Sequence, residues 1–233
     1  MIKFGGVELT DILPARIEDV IVSPIQLNPV ARQRPIDYGA DLVRIVGGVR
    51  TVTISFALLE MDSGERENAM QALRDWAQIG QQLTLELPQS ETRHLEAAVT
   101  QLPDYSFRKW WENKLKLIFT CFDNPFWTSN ELIEVPCGNA FSIGGSAAPL
   151  VQIERNGVTP ITNCVYSSGG VQMKFTTLPA GRVVIDLNRQ TAAIGNTSIM
   201  RYFDPLSSWI KPKIGASQII TGQGVVKYRE RWV

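Results

Sequence analysis

The chain has 233 residues, and its 23 basic side chains balance its 23 acidic ones, so the formal net charge is zero. A chain of this length buries roughly 70–75% of its unfolded surface and therefore needs neither disulfides nor a metal to fold. Zero net charge argues against a sequence-independent nucleic-acid binder, which is strongly basic. No apolar run approaches the ~18 residues of a membrane span. The first residues lack the apolar stretch of a secretory signal, so we expect none.

The first half of the chain alternates apolar and polar residues, which is typical of strands with one buried face. Such runs occupy residues 51–58, 83–87, 95–100 and 114–121. Residues 65–79 instead repeat apolar side chains at spacings of three and four, which predicts one amphipathic helix of about four turns. Asp62, with Glu65 three residues later, is the expected N-cap, and Gly80 is the expected residue after the helix end.

The pattern changes after Cys121. Residues 123–127, Asp-Asn-Pro-Phe-Trp, are a turn-like junction, and short apolar runs separated by Gly, Asn and Pro follow it. Asn156-Gly157 predicts a hairpin turn after the strand residues 151–154. Short strands with turn signals at such intervals predict an all-β sandwich, so we expect a domain boundary near residue 123.

Charge divides at the same boundary. Residues 1–122 hold 13 basic and 16 acidic side chains, whereas residues 123–233 hold 10 and 7. The neutral chain therefore consists of a part with net charge −3 and a part with net charge +3. A difference of this size can also arise by chance.

Cysteine and histidine spacing argues against a metal site. Cys121, Cys137 and Cys164 are far apart in the sequence, and His94 is the only histidine. A structural zinc site requires four closely spaced soft ligands. We therefore expect reduced, mostly buried thiols and no metal or other cofactor.

Signatures of catalysis are weak. Residues 144–148 faintly resemble a nucleophile elbow, but Pro149 and a strand follow where a helix is required. Residues 222–224, Gly-Gln-Gly, lack the third glycine of a dinucleotide-binding loop. Glu131 and Glu134 would point to opposite faces of a strand, and a glycosidase is recognised by a carboxylate separation that only a structure supplies. We therefore predict that the chain is not an enzyme.

The first candidate interaction surface contains Arg108, Trp110 and Trp111. Adjacent strand residues point to opposite faces, so both tryptophans cannot enter the same core. An exposed Trp beside Arg is typical of an interface hot spot. Packing of both rings under a loop between domains and a sugar-stacking platform are the alternatives.

The second candidate surface is the basic stripe of the C-terminal strand. Lys227, Arg229 and Arg231 are spaced two apart and would share one face. Such a stripe could contact an acidic partner or phosphates. The alternative is a solvated outer face.

The third candidate surface is the segment 23–39, which contains three prolines together with Arg32 and Arg34. A proline-punctuated loop of this length is usually functional or mobile. An arm that reaches a neighbouring subunit would fit these features.

The order of these features resembles the distal tail proteins (Dit) of long-tailed bacteriophages. Strand 49–59, helix 65–79 and strands 83–87 and 95–102 are followed by strand 114–122, which runs into an aromatic junction at 123–127 similar to that of the family. The similarity continues through Val184-Ile185-Asp186-Leu187, Arg189, Thr191, Gly195, Ser208-Trp209, Gly215 and residues 226–232. Lys211-Pro212-Lys213 departs from the family, which often has Leu followed by Gly-x-Asn.

The resemblance implies a mainly β protein with two domains. Residues 1–122 would form a β-sandwich or barrel-like domain with one helix at about 64–79, and residues 123–233 a galectin-like β-sandwich whose last strand could pack back on the first domain. It further implies a hexameric ring that joins the tail tube to tail-tip and host-adsorption proteins, in a virion assembled in the host cytoplasm. Relatives that insert a further carbohydrate-binding domain are longer than this chain.

Under this resemblance, the negatively charged first part would face a lumen through which DNA passes without stable binding, since Lys and Arg contacts to phosphates add affinity. No membrane partner is expected. A carbohydrate-binding β-sandwich module and, less favoured, a glycoside hydrolase remain as alternatives.

Overall fold

The computed structural model describes residues 1–33, 40–59, 62–103 and 114–233. The described residues are mainly in antiparallel β-strands, which confirms the predicted fold class. Contacts within the chain divide it into two compact units, Met1–Trp127 and Thr128–Val233. The finer assignment of domains to residues 1–122 and 123–233 stays a prediction.

The first unit is built around an antiparallel sheet. Its elements are β1 (Lys3–Phe4), β2 (Val7–Glu8), α1 (Leu9–Ile12), β3 (Ala15–Val22), β4 (Leu27–Gln33), β5 (Ala40–Gly47), β6 (Arg50–Leu58), α2 (Ser63–Ala77), β7 (Leu83–Glu86), β8 (Arg93–Gln101) and β9 (Lys114–Cys121). The strands pair in the order β3–β6–β9–β8–β7–β1–β2. Strands β4 and β5 pair with each other in a separate two-stranded sheet.

Alternation along β6 shows why this sheet forms. Val52, Ile54 and Phe56 are fully buried, and the residues between them are partly exposed. The strand has β3 on one edge and β9 on the other, so its apolar face has to be covered by another layer. The buried face of α2 belongs to the same core cluster and contributes to this cover.

Helix α2 begins with the predicted capping box. Asp62 Oδ1 accepts a hydrogen bond from the Glu65 amide at 2.8 Å, and Glu65 Oε2 accepts one from the Asp62 amide at 3.0 Å. The helix ends at Ala77, earlier than expected, because Gln78 itself adopts the left-handed conformation (φ 42°, ψ 55°) that Gly80 was predicted to supply.

Three aromatic rings join the helix to the sheet in the first core. Phe4, Trp76 and Phe119 meet edge to face, with ring centroids 5.2–6.2 Å apart. The indole Nε1 of Trp76 also donates to the Val7 carbonyl at 3.0 Å. These contacts bring together residues from both ends of the unit.

The second unit is all-β apart from a short 3₁₀ turn at Met200–Tyr202. Strand β10 (Trp127–Ser129) spans the limit between the units, and the strands after it are β11 (Ile133–Pro136), β12 (Ala140–Ser142), β13 (Ala147–Gly157), β14 (Ile161–Ser168), β15 (Val171–Leu178), β16 (Gly181–Asp186), β17 (Thr191–Ile194), β18 (Thr197–Ser198), β19 (Ser217–Ile219) and β20 (Val225–Trp232). The main sheet has the order β18–β17–β16–β13–β20–β11. Pairs β14–β15 and β12–β19 complete the unit.

A single core cluster lies within this unit. Ile153 and Ile185 from the main sheet are buried in the same cluster as Tyr166 and Phe175 from the β14–β15 pair. Two layers of strands that share one apolar core form a β-sandwich.

The hairpin predicted at Asn156-Gly157 is wrong. These residues are the last two of β13, opposite Arg182 and Gly181 of β16, and β14 pairs with β15 instead. The reason is that the antiparallel pairing of β13 with β16 continues through both residues, although the pairing with β20 on the other edge ends at Glu154. This ladder holds the backbone extended over a dipeptide that locally favours a turn. None of the helices in the described part of the chain has the length and apolar character needed to span a membrane.

Candidate interaction surfaces

The structure describes the candidate interface residues unequally. Lys227, Arg229 and Arg231 lie on β20 with described side chains. Arg32 lies on β4, where its backbone pairs opposite Asp41 of β5. The other candidates, Arg34, Arg108, Trp110 and Trp111, lie outside the described residues.

Strand β20 is an interior strand of the main sheet. It pairs with β13 along one edge and with β11 along the other. Lys227 therefore lies opposite Gln152 of β13 and Glu134 of β11. This register surrounds the basic stripe with side chains from neighbouring strands.

An ionic row crosses four strands at Lys227. Its Nζ lies 2.7 Å from Glu134 Oε1 and 3.4 Å from Glu154 Oε2, and Arg182 Nη2 lies 2.9 Å from the same Glu154 oxygen. The Arg182 hydrogen bond, assisted by Lys227, lowers the pKa of the Glu154 carboxyl. Hydrogen bonds to Glu134 and Glu154 in turn raise the pKa of Lys227. The row thus holds alternating charges in their ionised forms.

Arg229 and Arg231 bind backbone carbonyls of their own unit. The Arg229 guanidinium donates to the carbonyl of Ser129 at 2.8 Å and to that of Asn130. Arg231 is buried, and its Nη1 donates to the Ala148 carbonyl at 3.1 Å. Both side chains therefore attach neighbouring segments to the last strand.

The basic stripe is consequently integrated into the second unit. Its charges are engaged by Glu134, Glu154 and main-chain oxygens, so a contact with an acidic partner or phosphates would compete with bonds already made. A role of these residues in an interface stays a prediction. The sequence shows the cations at strand spacing, but Glu134, Glu154 and Arg182 become their neighbours only through the sheet register.

The two glycine-containing segments that resemble catalytic or nucleotide-binding motifs, residues 144–148 and 222–224, have structural roles. The Gly144 amide donates to Glu230 Oε1 at 2.6 Å, and the Ser146 amide donates to the Arg231 carbonyl at 2.9 Å, so residues 144–146 attach to the last strand. Gly222 packs against the ring of Tyr166. The close approach of the Tyr166 ring to the backbone, rather than phosphate binding, accounts for glycine at position 222.

The cysteines are free thiols with low reactivity. Cys121 and Cys164 are buried, and Cys137 is half-buried. Burial raises the pKa of Cys121 and Cys137 to about 11. Because the thiolate is the nucleophile and the metal ligand, such thiols are poor at both tasks near neutral pH. In the described ranges, His, Cys, Asp and Glu side chains form no group of three suited to a metal ion.

A cavity of about 670 Å³ opens in the second unit. The tip of the β14–β15 hairpin, the segment 208–213 and strand β19 line it. Trp209 forms part of its wall and stacks on Phe203, with ring centroids 4.9 Å apart and an interplanar angle of 16°. Lys211 and Lys213, at the predicted departure from the family pattern, are exposed at the cavity. The sequence showed these residues but not that they enclose a space.

Comparisons with known proteins identify the fold. No family model matches the sequence, and a search of curated proteins returns no significant match. Among solved structures, the chain is similar to the Dit protein of phage SPP1, described as a paradigm of the hub adsorption apparatus in Gram-positive infecting phages. The TM-score is 0.78 at 13% sequence identity, over 100% of this chain and 98% of that one.

Chains of the phage P2 baseplate are similar to a lesser degree. In the activated conformation with Ca the TM-score is 0.51 at 9% identity, covering 94% of this chain and 91% of that one. In the conformation with Sr the TM-score is 0.50 at 10% identity, covering 94% and 90%. The chain has the Dit fold, and the resemblance inferred from its sequence is confirmed at the level of fold.

Proposed function

We propose that this chain is a structural, non-enzymatic hub of a phage tail tip, which joins the tail tube to tail-tip and host-adsorption proteins. The observation that carries this proposal is the whole-chain similarity to SPP1 Dit, which leaves almost no part of either chain unmatched. Because one fold can serve several functions, assembly is the property to test.

The hub would be a closed ring of six copies. Residues 1–122 would form the ring, and residues 123–233 would project as a galectin-like domain. The β4–β5 pair supports an arm between subunits, because it extends the β3–β6 ladder through backbone hydrogen bonds at Gln26 and Gly48, and among the described strands β4 and β5 pair only with each other. Two strands without a third neighbour are at best marginally stable in water. A neighbouring copy would supply the missing packing, in a heterologous interface that closes on itself.

The net negative charge of residues 1–122 is compatible with the passage of DNA through such a ring. The first 122 residues carry 13 basic and 16 acidic side chains, so a lumen formed by them would not retain phosphates. DNA would then pass without stable binding. The protein would act in the virion tail after assembly in the host cytoplasm, with no cofactor and no membrane partner.

Light scattering and negative-stain imaging of the purified chain test the ring directly. Six copies of the 26.0 kDa chain would give a particle of about 156 kDa with six-fold symmetry. A monomer at the highest soluble concentration would overturn the hexameric ring.

Charge reversal in the arm tests the proposed interface. Arg32→Glu combined with Arg34→Glu should dissociate the ring while the circular dichroism spectrum stays unchanged. Lys174→Glu, at an exposed position of the second unit, is the matched control and should leave the ring intact. Intact rings in the arm variant would remove Arg32 and Arg34 from the interface, and Trp110→Ala with Trp111→Ala would then test the other candidate surface.

A further inference from the structure

The cavity beside Trp209 lies where a strand ladder opens. Ser167 and Thr221 exchange both backbone hydrogen bonds, at 3.2 and 2.9 Å, and their hydroxyl groups lie 2.6 Å apart. Gly169 and Ile219 would form the next pair of this type, two residues further along each segment. Both line the cavity instead. The ladder therefore stops after one pair, and the cavity occupies the gap.

The open side of β19 faces this gap. Backbone groups of successive strand residues point to alternate edges, so those of Ile219 point to the same side as those of Thr221. The opposite edge of β19 is covered by β12, with Ile219 opposite Ala140. Within the described residues, β19 thus presents an edge without a strand neighbour to the cavity. Such an edge is a template for pairing with another chain.

The walls of the gap are held in place by the unit itself. The Ser208 amide donates to the Gln172 carbonyl at 3.0 Å, which fixes the start of the segment 208–213. At its end, the Gln218 side chain accepts from the Lys213 amide at 3.1 Å and donates to the Lys213 carbonyl at 2.9 Å. A preformed groove reduces the ordering cost of binding.

The charge of the groove selects the kind of ligand. Its lining contains Lys211 and Lys213 and no acidic residue. In the described part of the chain neither ammonium group forms an ion pair, in contrast to Lys227 on the main sheet. Val171 and Ile219, both 36% exposed or more, add apolar surface beside these cations. Alternate acidic and apolar side chains of an extended peptide would complement this surface.

We propose that β19 accepts an extended acidic segment of a partner protein as an additional strand, with Lys211 and Lys213 contacting its carboxylates. That the ligand is a segment of another protein rests on the proposed function of this chain as an assembly hub. An acidic saccharide fits less well, because both polar atoms of the Gln218 amide are already engaged and Phe203 covers one face of the Trp209 ring. Main-chain hydrogen bonds would supply affinity, and the lysines would supply selectivity for acidic segments.

Fluorescence polarisation with the full chain tests the groove. The probes are short synthetic peptides in which Glu or Asp alternates with Val, Ile or Leu, compared with peptides in which Lys replaces the acidic residues and with peptides N-methylated on the pairing edge. Acidic peptides should bind, and their affinity should fall as the salt concentration is raised. The double variant Lys211→Gln, Lys213→Gln should weaken binding about tenfold, as expected for the loss of two exposed ion pairs. Lys174→Gln, an exposed lysine outside the groove, is the matched control and should bind normally.

Hydrogen–deuterium exchange of the same complex locates the peptide. Amides of residues 217–219 should become protected with the acidic peptide and not with its N-methylated form. Equal binding of Lys-containing or N-methylated peptides, or normal binding by the double lysine variant, would overturn the proposal. No binding by any acidic peptide would also overturn it. Oligogalacturonate serves as the acidic saccharide probe, and binding of this saccharide without binding of acidic peptides would overturn the proposal as well. An intact six-fold ring without peptide binding refutes only the groove, whereas peptide binding by a strict monomer refutes the ring.

Discussion

Replacing Gly222 with alanine tests the close packing of the backbone against the Tyr166 ring, just before β20 begins. Gly222 has φ +138°, and a Cβ added there would lie 2.7 Å from Cε1 of Tyr166 and closer still to Cδ1. The Tyr166 ring is fully buried, and its hydroxyl donates to the Gln223 carbonyl at 2.9 Å. The ring cannot move aside without losing core contacts or this hydrogen bond. The alanine methyl group therefore has no space.

Two costs contribute to the expected effect. An alanine held at this positive φ costs about 1–2 kcal/mol of conformational free energy. Overpacking against a buried ring costs about 1–3 kcal/mol more. We expect the free energy of unfolding of the second unit to fall by about 2–5 kcal/mol, which for a unit of this size lowers Tm by at least about 8 °C.

Gly170→Ala separates the two costs. Gly170 also has a positive φ, +83°, but a Cβ there would have no neighbour within 4 Å. Urea denaturation followed by fluorescence and circular dichroism should show Gly222→Ala to be more destabilising than Gly170→Ala by at least about 1 kcal/mol. Equal losses in the two variants would refute the packing argument. Tyr166→Leu in the Gly222→Ala background should recover part of the loss relative to the additive value.

Two further predictions concern charge and capping. Because hydrogen bonds lower the pKa of Glu154 below the usual 4.5, its contribution is present above that pH and is lost as pH falls through the folded value. Glu154→Gln should therefore cost about 0.5–1 kcal/mol at pH 7 and little in acid, measured by urea denaturation across pH; a cost independent of pH would contradict the ionic row. Asp62→Ala should destabilise the first unit by about 1 kcal/mol through loss of the α2 capping box, whereas Asp62→Asn should retain most of the stability. Thermal unfolding of the Asp62→Ala and Asp62→Asn variants tests this, and equal losses of stability in both would show that the side-chain cap does not determine the stability of the helix start.

Local patterns account for much of the architecture. Alternation predicts the strand 51–58, observed as β6, and the capping box at Asp62 predicts the start of the helix. The end of the helix differs, because Gln78 adopts the left-handed conformation before Gly80 is reached. Such features depend on neighbours within one or two turns, so the sequence alone specifies them closely.

Interaction surfaces depend on distant neighbours. Lys227, Arg229 and Arg231 form a visible basic stripe, but whether it is available to a partner depends on the strands beside it. The register of β20 places Lys227 next to Glu134 and Glu154, which occupy its charge. The cavity at Lys211 and Lys213 likewise exists only because one ladder opens beside β19.

The neutral sequence of 233 residues by itself determined a mainly β chain, one capped helix and an order of elements that resembles distal tail proteins. The tertiary structure decided which turn signals act, as at Asn156-Gly157, where pairing with β16 keeps β13 extended through a dipeptide that favours a hairpin. It also decided which cations are engaged and which remain exposed. The physical reason is that backbone propensity and capping act over a few residues, whereas register, burial and ion pairing are set by residues distant in the chain.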